Sequence, residues 1–365
     1  MPNGNSKFLA KTLKKRVWAL GIFGGLVVLL SLASCSTVSY CAQATGGHID
    51  VLRKGKRITR LLDDEETDVD LVSKLRHVQR VLAFAREEMQ LDPEACYTRY
   101  ADLERSSVVW NVYAAPEFSL KPKTWWYPVV GSLSYRGYFD EEKAKSLAEK
   151  LRAKGFDVLV GGVEAYSTLG WFNDPVLNTF IDRSELGLVT LLCHELAHRR
   201  LFFASDTELS EAFATTIEEE ALARWIAKQD LPQEQLANFR SKMEVLGAIK
   251  DDMEAVQDEL EFLYDQVDQL GADEVRRRKA LALDKLQASN LDRIRPLSKK
   301  AAKSYAKLPM NNARLATSQV YHGLVPELQE LLHRQCGSDL KKFYRAVKSL
   351  GAERKRSRNR QTLKD

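Results

Sequence analysis

The sequence predicts an α+β protein in which helix dominates. Runs of β-branched and aromatic residues suited to strands cluster between about residues 108 and 163 rather than alternating with helices. Long stretches on either side carry apolar residues at helical spacing. The charged region from Pro232 to about Lys307 is helical in pattern and broken at Gly271, which reads as an antiparallel helical hairpin forming a solvated arm or lid.

The N-terminus is basic at Lys7, Lys11, Lys14, Lys15 and Arg16, and no acidic residue precedes Asp50. An uncharged, Leu- and Val-rich run follows from Val17 to Ser34 and stops at Leu32-Ala33-Ser34-Cys35. A basic start, an apolar core and small residues before a cut describe a secretory signal over residues 1–34. The ending resembles a bacterial lipobox, which implies that Cys35 carries the lipid anchor. A membrane-spanning helix is the other reading, since the run approaches the length that a bilayer requires.

The chain has 55 basic and 50 acidic residues, and loss of the signal with its five basic residues leaves 50 of each. Its balance therefore argues for no nucleic-acid partner. The tail over residues 351–365, with Arg354-Lys355-Arg356-Ser357-Arg358-Asn359-Arg360, is expected to be basic and disordered. Beyond Cys35, Cys41, Cys96, Cys193 and Cys336 form no CxxC pair, and Cys193, inside an apolar helical run, is expected to be a buried thiol.

In chain order, His48 to about Arg105 has a helical pattern, with Val69, Val72, Leu75, Val78 and Leu82 on its apolar face. Val108 to Tyr113 reads as a strand, Trp125 to Tyr138 as strand and turn, and Asp140 to Lys154 as a helix stopped by Gly155. Phe156 to Val160 is a short strand. A helix from Ser184, a candidate N-cap, runs through Arg200, and a second runs from near Ser205 to Lys228. The expected divisions are a catalytic region over residues 35–231, the hairpin over 232–307, and a C-terminal helical part of the catalytic domain over 308–350.

The chemistry lies in His194-Glu195-Leu196-Ala197-His198. Residues four apart share a helix face, so both imidazoles can meet one ion. Zinc accepts such nitrogens and keeps a position open for water in catalytic sites. Glu195, turned about 100° away, is free to act as the base that takes a proton from that water. The following helix offers Glu208, Glu211 and Glu218 as further carboxylates. Ser205-Asp206-Thr207-Glu208 fits a capping box that occupies Glu208. Glu211 lies one turn further in, where it could reach the metal, and Glu218 could orient a ligand histidine.

Several segments carry a resemblance: Trp125 to Pro128, Tyr135 to Asp140, Ala165 to Leu177, Asp206 to Thr215, and Asn311 to Leu315 with Tyr321 and Pro326. Together with the zinc helix they resemble the predicted aminopeptidase family of bacterial lipoproteins, over roughly residues 40–350. The resemblance implies a zincin-like core of the Glu-ligand type, one Zn2+ held by His194, His198 and Glu211, Glu195 as base, and a peptide or protein substrate. Ser210 stands where Asn usually precedes the ligand Glu, and Gly-x-Met-Glu-Asn, the grip on a free amino terminus in zinc aminopeptidases, is absent. The choice between exopeptidase and endopeptidase stays open.

Tyr166 and Trp171 are candidates for the substrate cleft, ahead of the metal helix, and Tyr321 or His322 for an oxyanion donor. Ser36 after the anchor fits a protein tethered to the outer membrane and facing the periplasm. The alternatives are an envelope scaffold or chaperone with a structural zinc, and a zinc amidase acting on peptidoglycan peptides.

Overall fold

The computed structural model describes residues 40, 43–127, 131–165, 173–203, 206–318 and 324–362. The signal segment, Cys35, Tyr166, Trp171, Ser205, Tyr321 and His322 lie outside the described residues. Two compact units divide the chain, Met1–Asp50 and Val51–Asp365. Residues 43–54 form helix α1. Among the described residues no helix is long and apolar enough to cross a membrane.

The second unit is mostly helical, as expected, around three small sheets. The largest pairings belong to β3 (Val109–Pro116), flanked antiparallel by β6 (Tyr135–Tyr138) and β7 (Phe156–Val163). On one face of this sheet, Val112, Ala114 and Val158 pack against Ala144, Ala148 and Leu151 of α4 (Glu141–Arg152). Asp140 caps α4 by accepting the Glu142 and Lys143 amides, and Gly155 follows it with φ +82°, a conformation that suits glycine. A β4–β5 hairpin (Trp125–Tyr127, Gly131–Leu133) forms a separate sheet.

The span from His48 to Arg105 is less helical than its pattern suggests. Helices α2 (Ile58–Asp63) and α3 (Val69–Met89) are followed by an irregular loop. The strands β1 (Lys56–Arg57), β2 (Arg99–Ala101) and β8 (Val176–Leu177) make a further sheet. Strands of two or three residues show no alternation in sequence; their partners, not their composition, define them.

The main core joins α3, α5 (Glu185–Arg200), α6 (Thr207–Lys228) and α13 (Leu340–Thr362). Phe213 of α6 is fully buried, stacked on Phe343 at 6.0 Å and edge-on to Tyr344 at 5.9 Å. Burying one such side chain contributes about 1.5–3 kcal/mol. Because Phe343, Tyr344 and Val347 hold α13 to this core, the helix continues through the basic tail to Thr362. The expectation of disorder from residue 351 is corrected up to that point.

Helices α7 (Gln233–Tyr264) and α9 (Ala272–Ile294) flank the short α8 (Val267–Leu270), with Gly271 at φ +81° between α8 and α9. Asp252 of α7 accepts from Ser289 and Arg293 of α9. This region is more than a solvated arm. Leu260, Leu263, Val275, Leu283 and Leu286 bury a core of their own with Leu120 and Leu315. Lys279 reaches the Asp157 carboxylate at 2.6 Å and the Glu117 carbonyl at 2.7 Å. Asn312, which starts α11 (Asn312–Ser318), is fully buried and donates to the carbonyls of Pro116, Glu117 and Ser119 while accepting from the Tyr264 hydroxyl. The C-terminal part continues through α10 (Lys299–Lys307), α12 (Val325–Glu330) and a π-turn at Leu331–Gln335.

Candidate metal centre

Helix α5 begins at Ser184, whose hydroxyl accepts the Gly187 amide at 3.2 Å. Leu186, Leu188, Val189, Leu192, Cys193, Leu196 and Ala197 are all buried, so nearly the whole circumference of the helix faces protein. A histidine pair on such a helix is desolvated and requires partners. The chain then turns at Leu201 and returns as α6, the two helices packing along their lengths.

Two contacts set the register of that return. Ser210 is buried and accepts the Phe203 amide at 2.9 Å, fixing the link one residue ahead of Glu211. Asp206, not Ser205, is the N-cap of α6, accepting the Leu209 amide at 3.2 Å. The expected capping box is therefore corrected: Glu208 turns to Arg354 at 2.8 Å.

His194, His198 and Glu211 come together, with one potential ligand atom of each within 4.8 Å of the others. The Glu211 Oε2 lies 3.5 Å from His194 Nε2 and 3.6 Å from His198 Nε2. These separations are long for hydrogen bonds, whose N···O distances run roughly 2.7–3.2 Å. Two ligand atoms about 2.0–2.1 Å from a tetrahedral ion sit roughly 3.3–3.4 Å apart, so the spacing fits a shared metal. His194 Nδ1 pairs with Glu218 Oε2 at 3.1 Å, which leaves Nε2 as the atom facing Glu211. His198 Nδ1 is buried and has no hydrogen-bond partner among the described residues. Two nitrogens and one oxygen, backed by a carboxylate on one imidazole, form a donor set that suits zinc.

Burial alone would lower the His194 pKa, but its contacts with Glu211 and Glu218 outweigh it and raise the value to about 10. Burial would likewise push the Glu211 carboxyl up, and the two histidines instead hold it at about 2. Glu195 moves the other way: burial raises its pKa against the opposing charges of His194 and His198.

Two residues near Glu195 escaped the sequence reading. Tyr97 is buried, its phenol pushed up first by burial and then by the Glu195 charge, and Asp174 also bears on Glu195. The Tyr97 amide donates to the Asp174 carbonyl at 2.7 Å and the Asp174 amide to Cys96 Sγ at 3.3 Å, which stitches this loop to the segment before α5. Gln90, Glu94 and Tyr97 all have positive φ, and Arg199, next to His198, reaches Glu94 at 3.1 Å. Asp174 lies within the Ala165 to Leu177 segment; nothing in the sequence marked Tyr97. Among the described residues Cys96, Cys193 and Cys336 are buried, and Cys193 and Cys336 are free thiols.

Neither the curated proteins nor the solved structures contain a match to this chain. A family described as "Putative aminopeptidase" matches residues 39–363. That match takes in both helices that bring the imidazoles and the carboxylates together, and it extends over most of the chain, which therefore belongs to this family.

Proposed function

We propose that the protein is a zinc-dependent peptidase tethered to the bacterial envelope. One observation carries the reading: two imidazoles and Glu211 converge at ligand spacing beside Glu195, a carboxylate no ligand set requires. His194, His198 and Glu211 would hold the zinc, which when bound would acidify a water and polarise the scissile carbonyl. Glu195 takes the proton from that water on its carboxylate and passes it to the departing amine. Glu218 accepts a hydrogen bond from His194 Nδ1, which would leave Nε2 for the ion.

Tyr321 would donate to the oxyanion, and Tyr166 and Trp171 would flank the peptide. The lipid on Cys35 would hold the enzyme at the outer membrane, facing the periplasm.

Full-length protein in detergent is expected to carry one zinc per chain and to cleave members of a peptide library. Glu195→Gln should keep the metal and lose the cleavage. A zinc-loaded wild type that cleaves nothing would support a scaffold in which the metal only braces the fold. Cleavage confined to peptidoglycan stem peptides would make the enzyme an amidase. Undiminished turnover by Glu195→Gln would remove Glu195 from the chemistry.

A further inference from the structure

The second unit opens with a concentration of positive charge that the metal centre does not use. Strand β1 pairs antiparallel with β2 so that Arg57 lies directly opposite Arg99. Like charges in facing positions repel, and a two-residue strand has few ladder bonds to offset this. Arg57 is the N-cap of α2 but its side chain makes no capping bond, and Arg60 follows on that helix.

Arg57, Arg60, Arg99 and Lys56 line a cavity of about 460 Å³ with one acidic side chain, Asp64. Asp64 is engaged elsewhere, accepting the Glu66 amide at 3.1 Å. Arg99 lies along the backbone, its Nε (3.0 Å) and Nη2 both donating to the Gly55 carbonyl, which leaves the Nη1–Nη2 edge of the guanidinium for a ligand. A Cβ on Gly55 would meet that Nε at 3.0 Å, so glycine here admits the guanidinium. Among the described residues no ion pair is formed by Lys56, Arg57 or Arg60.

We propose that this cavity binds a phosphate group, carried either by a lipid headgroup or by a free phosphorylated molecule. A tetrahedral anion placed between Arg57 and Arg99 turns their repulsion into two attractions. Guanidinium forks match phosphate oxygens bidentately. Three arginines and a lysine favour a phosphate over a single carboxylate, because its oxygens can meet more than one guanidinium at once.

The test is calorimetric titration of the full chain in detergent, at low salt, with inorganic phosphate and with glycerophosphoglycerol, the soluble headgroup of an anionic lipid. Binding of at least one is expected, weakened about tenfold by Arg57→Gln and by Arg60→Gln, as for the loss of a charged hydrogen bond. Both side chains are exposed and, among the described residues, form no ion pair, so these variants should fold as the wild type does. Glu211→Gln protein should bind with unchanged affinity, which separates this cavity from phosphate reaching the metal centre. Tighter binding of inorganic phosphate identifies a free ligand; tighter binding of the diester identifies a headgroup. No binding of either, or equal affinity in wild type and both arginine variants, overturns the proposal.

Discussion

Arg354 donates from Nε to the Asp206 carboxylate at 2.7 Å, joining the C-terminal helix to the residue that caps the Glu211 helix. Arg358 pairs with the same carboxylate, and Arg354 also reaches Glu208. One turn earlier, α13 passes so close to Phe203 that a Cβ on Gly351 would meet the ring at 2.2 Å. The link between α5 and α6 is therefore held from outside by α13.

Asp206→Asn isolates the charge in this arrangement, because asparagine caps a helix about as well as aspartate. It is expected to destabilise the protein by about 2 kcal/mol at neutral pH, as for loss of hydrogen bonds to a charged group. Burial would raise the Asp206 pKa, but Arg354 and Arg358 hold it below 3.8. A depressed carboxyl stabilises the fold above its unfolded value and loses that contribution as pH falls through the folded one. The gap between wild type and variant in urea unfolding should therefore shrink below pH 3.8. A gap that widens on acidification would contradict the pairing.

Glu211→Gln and Glu208→Gln should separate cleanly in competitive zinc titration. Glu211 sits at ligand distance from both histidines, and a neutral amide replaces a carboxylate poorly on a dication. Glu208 has a half-exposed ion pair with Arg354, worth about 0.2–1 kcal/mol of stability. Zinc binding should weaken strongly in the first variant and little in the second. The reverse result would move the third ligand to Glu208.

Gly351→Ala tests the close approach of α13. Within a helix this change ordinarily stabilises by about 1 kcal/mol. Here the new methyl meets Phe203, whose backbone is held by Ser210, so a net loss of about 1–2 kcal/mol is expected. Chemical denaturation reads it, and Phe203→Leu in the same chain should recover part of the loss.

Cys35→Ser should abolish incorporation of a labelled fatty acid and shift the protein from the detergent phase to the aqueous phase. Label retained in the variant would place the anchor elsewhere.

What the sequence alone determined is local. Four-residue spacing on a helix puts His194 and His198 on one face wherever that helix sits, and Glu195 is turned aside by the same geometry. Ser184 as N-cap, Gly155 and Gly271 as breaks, and the strand at Val109 to Tyr113 were legible because caps, turns and alternation act over a few residues. The tertiary structure decided whatever joins distant positions. Glu211 and Glu208 are both acidic residues early in one helix, and only the packing of α6 on α5 turns one to the histidines and the other to Arg354. The tail reads as disordered because its charge is solvated in any local view; its order comes from Asp206, 148 residues away. Tyr97 reaches Glu195's surroundings only through a loop bonded to Asp174. A one-dimensional pattern carries periodicity and capping, whereas burial and charge pairing depend on which surfaces the fold brings into contact.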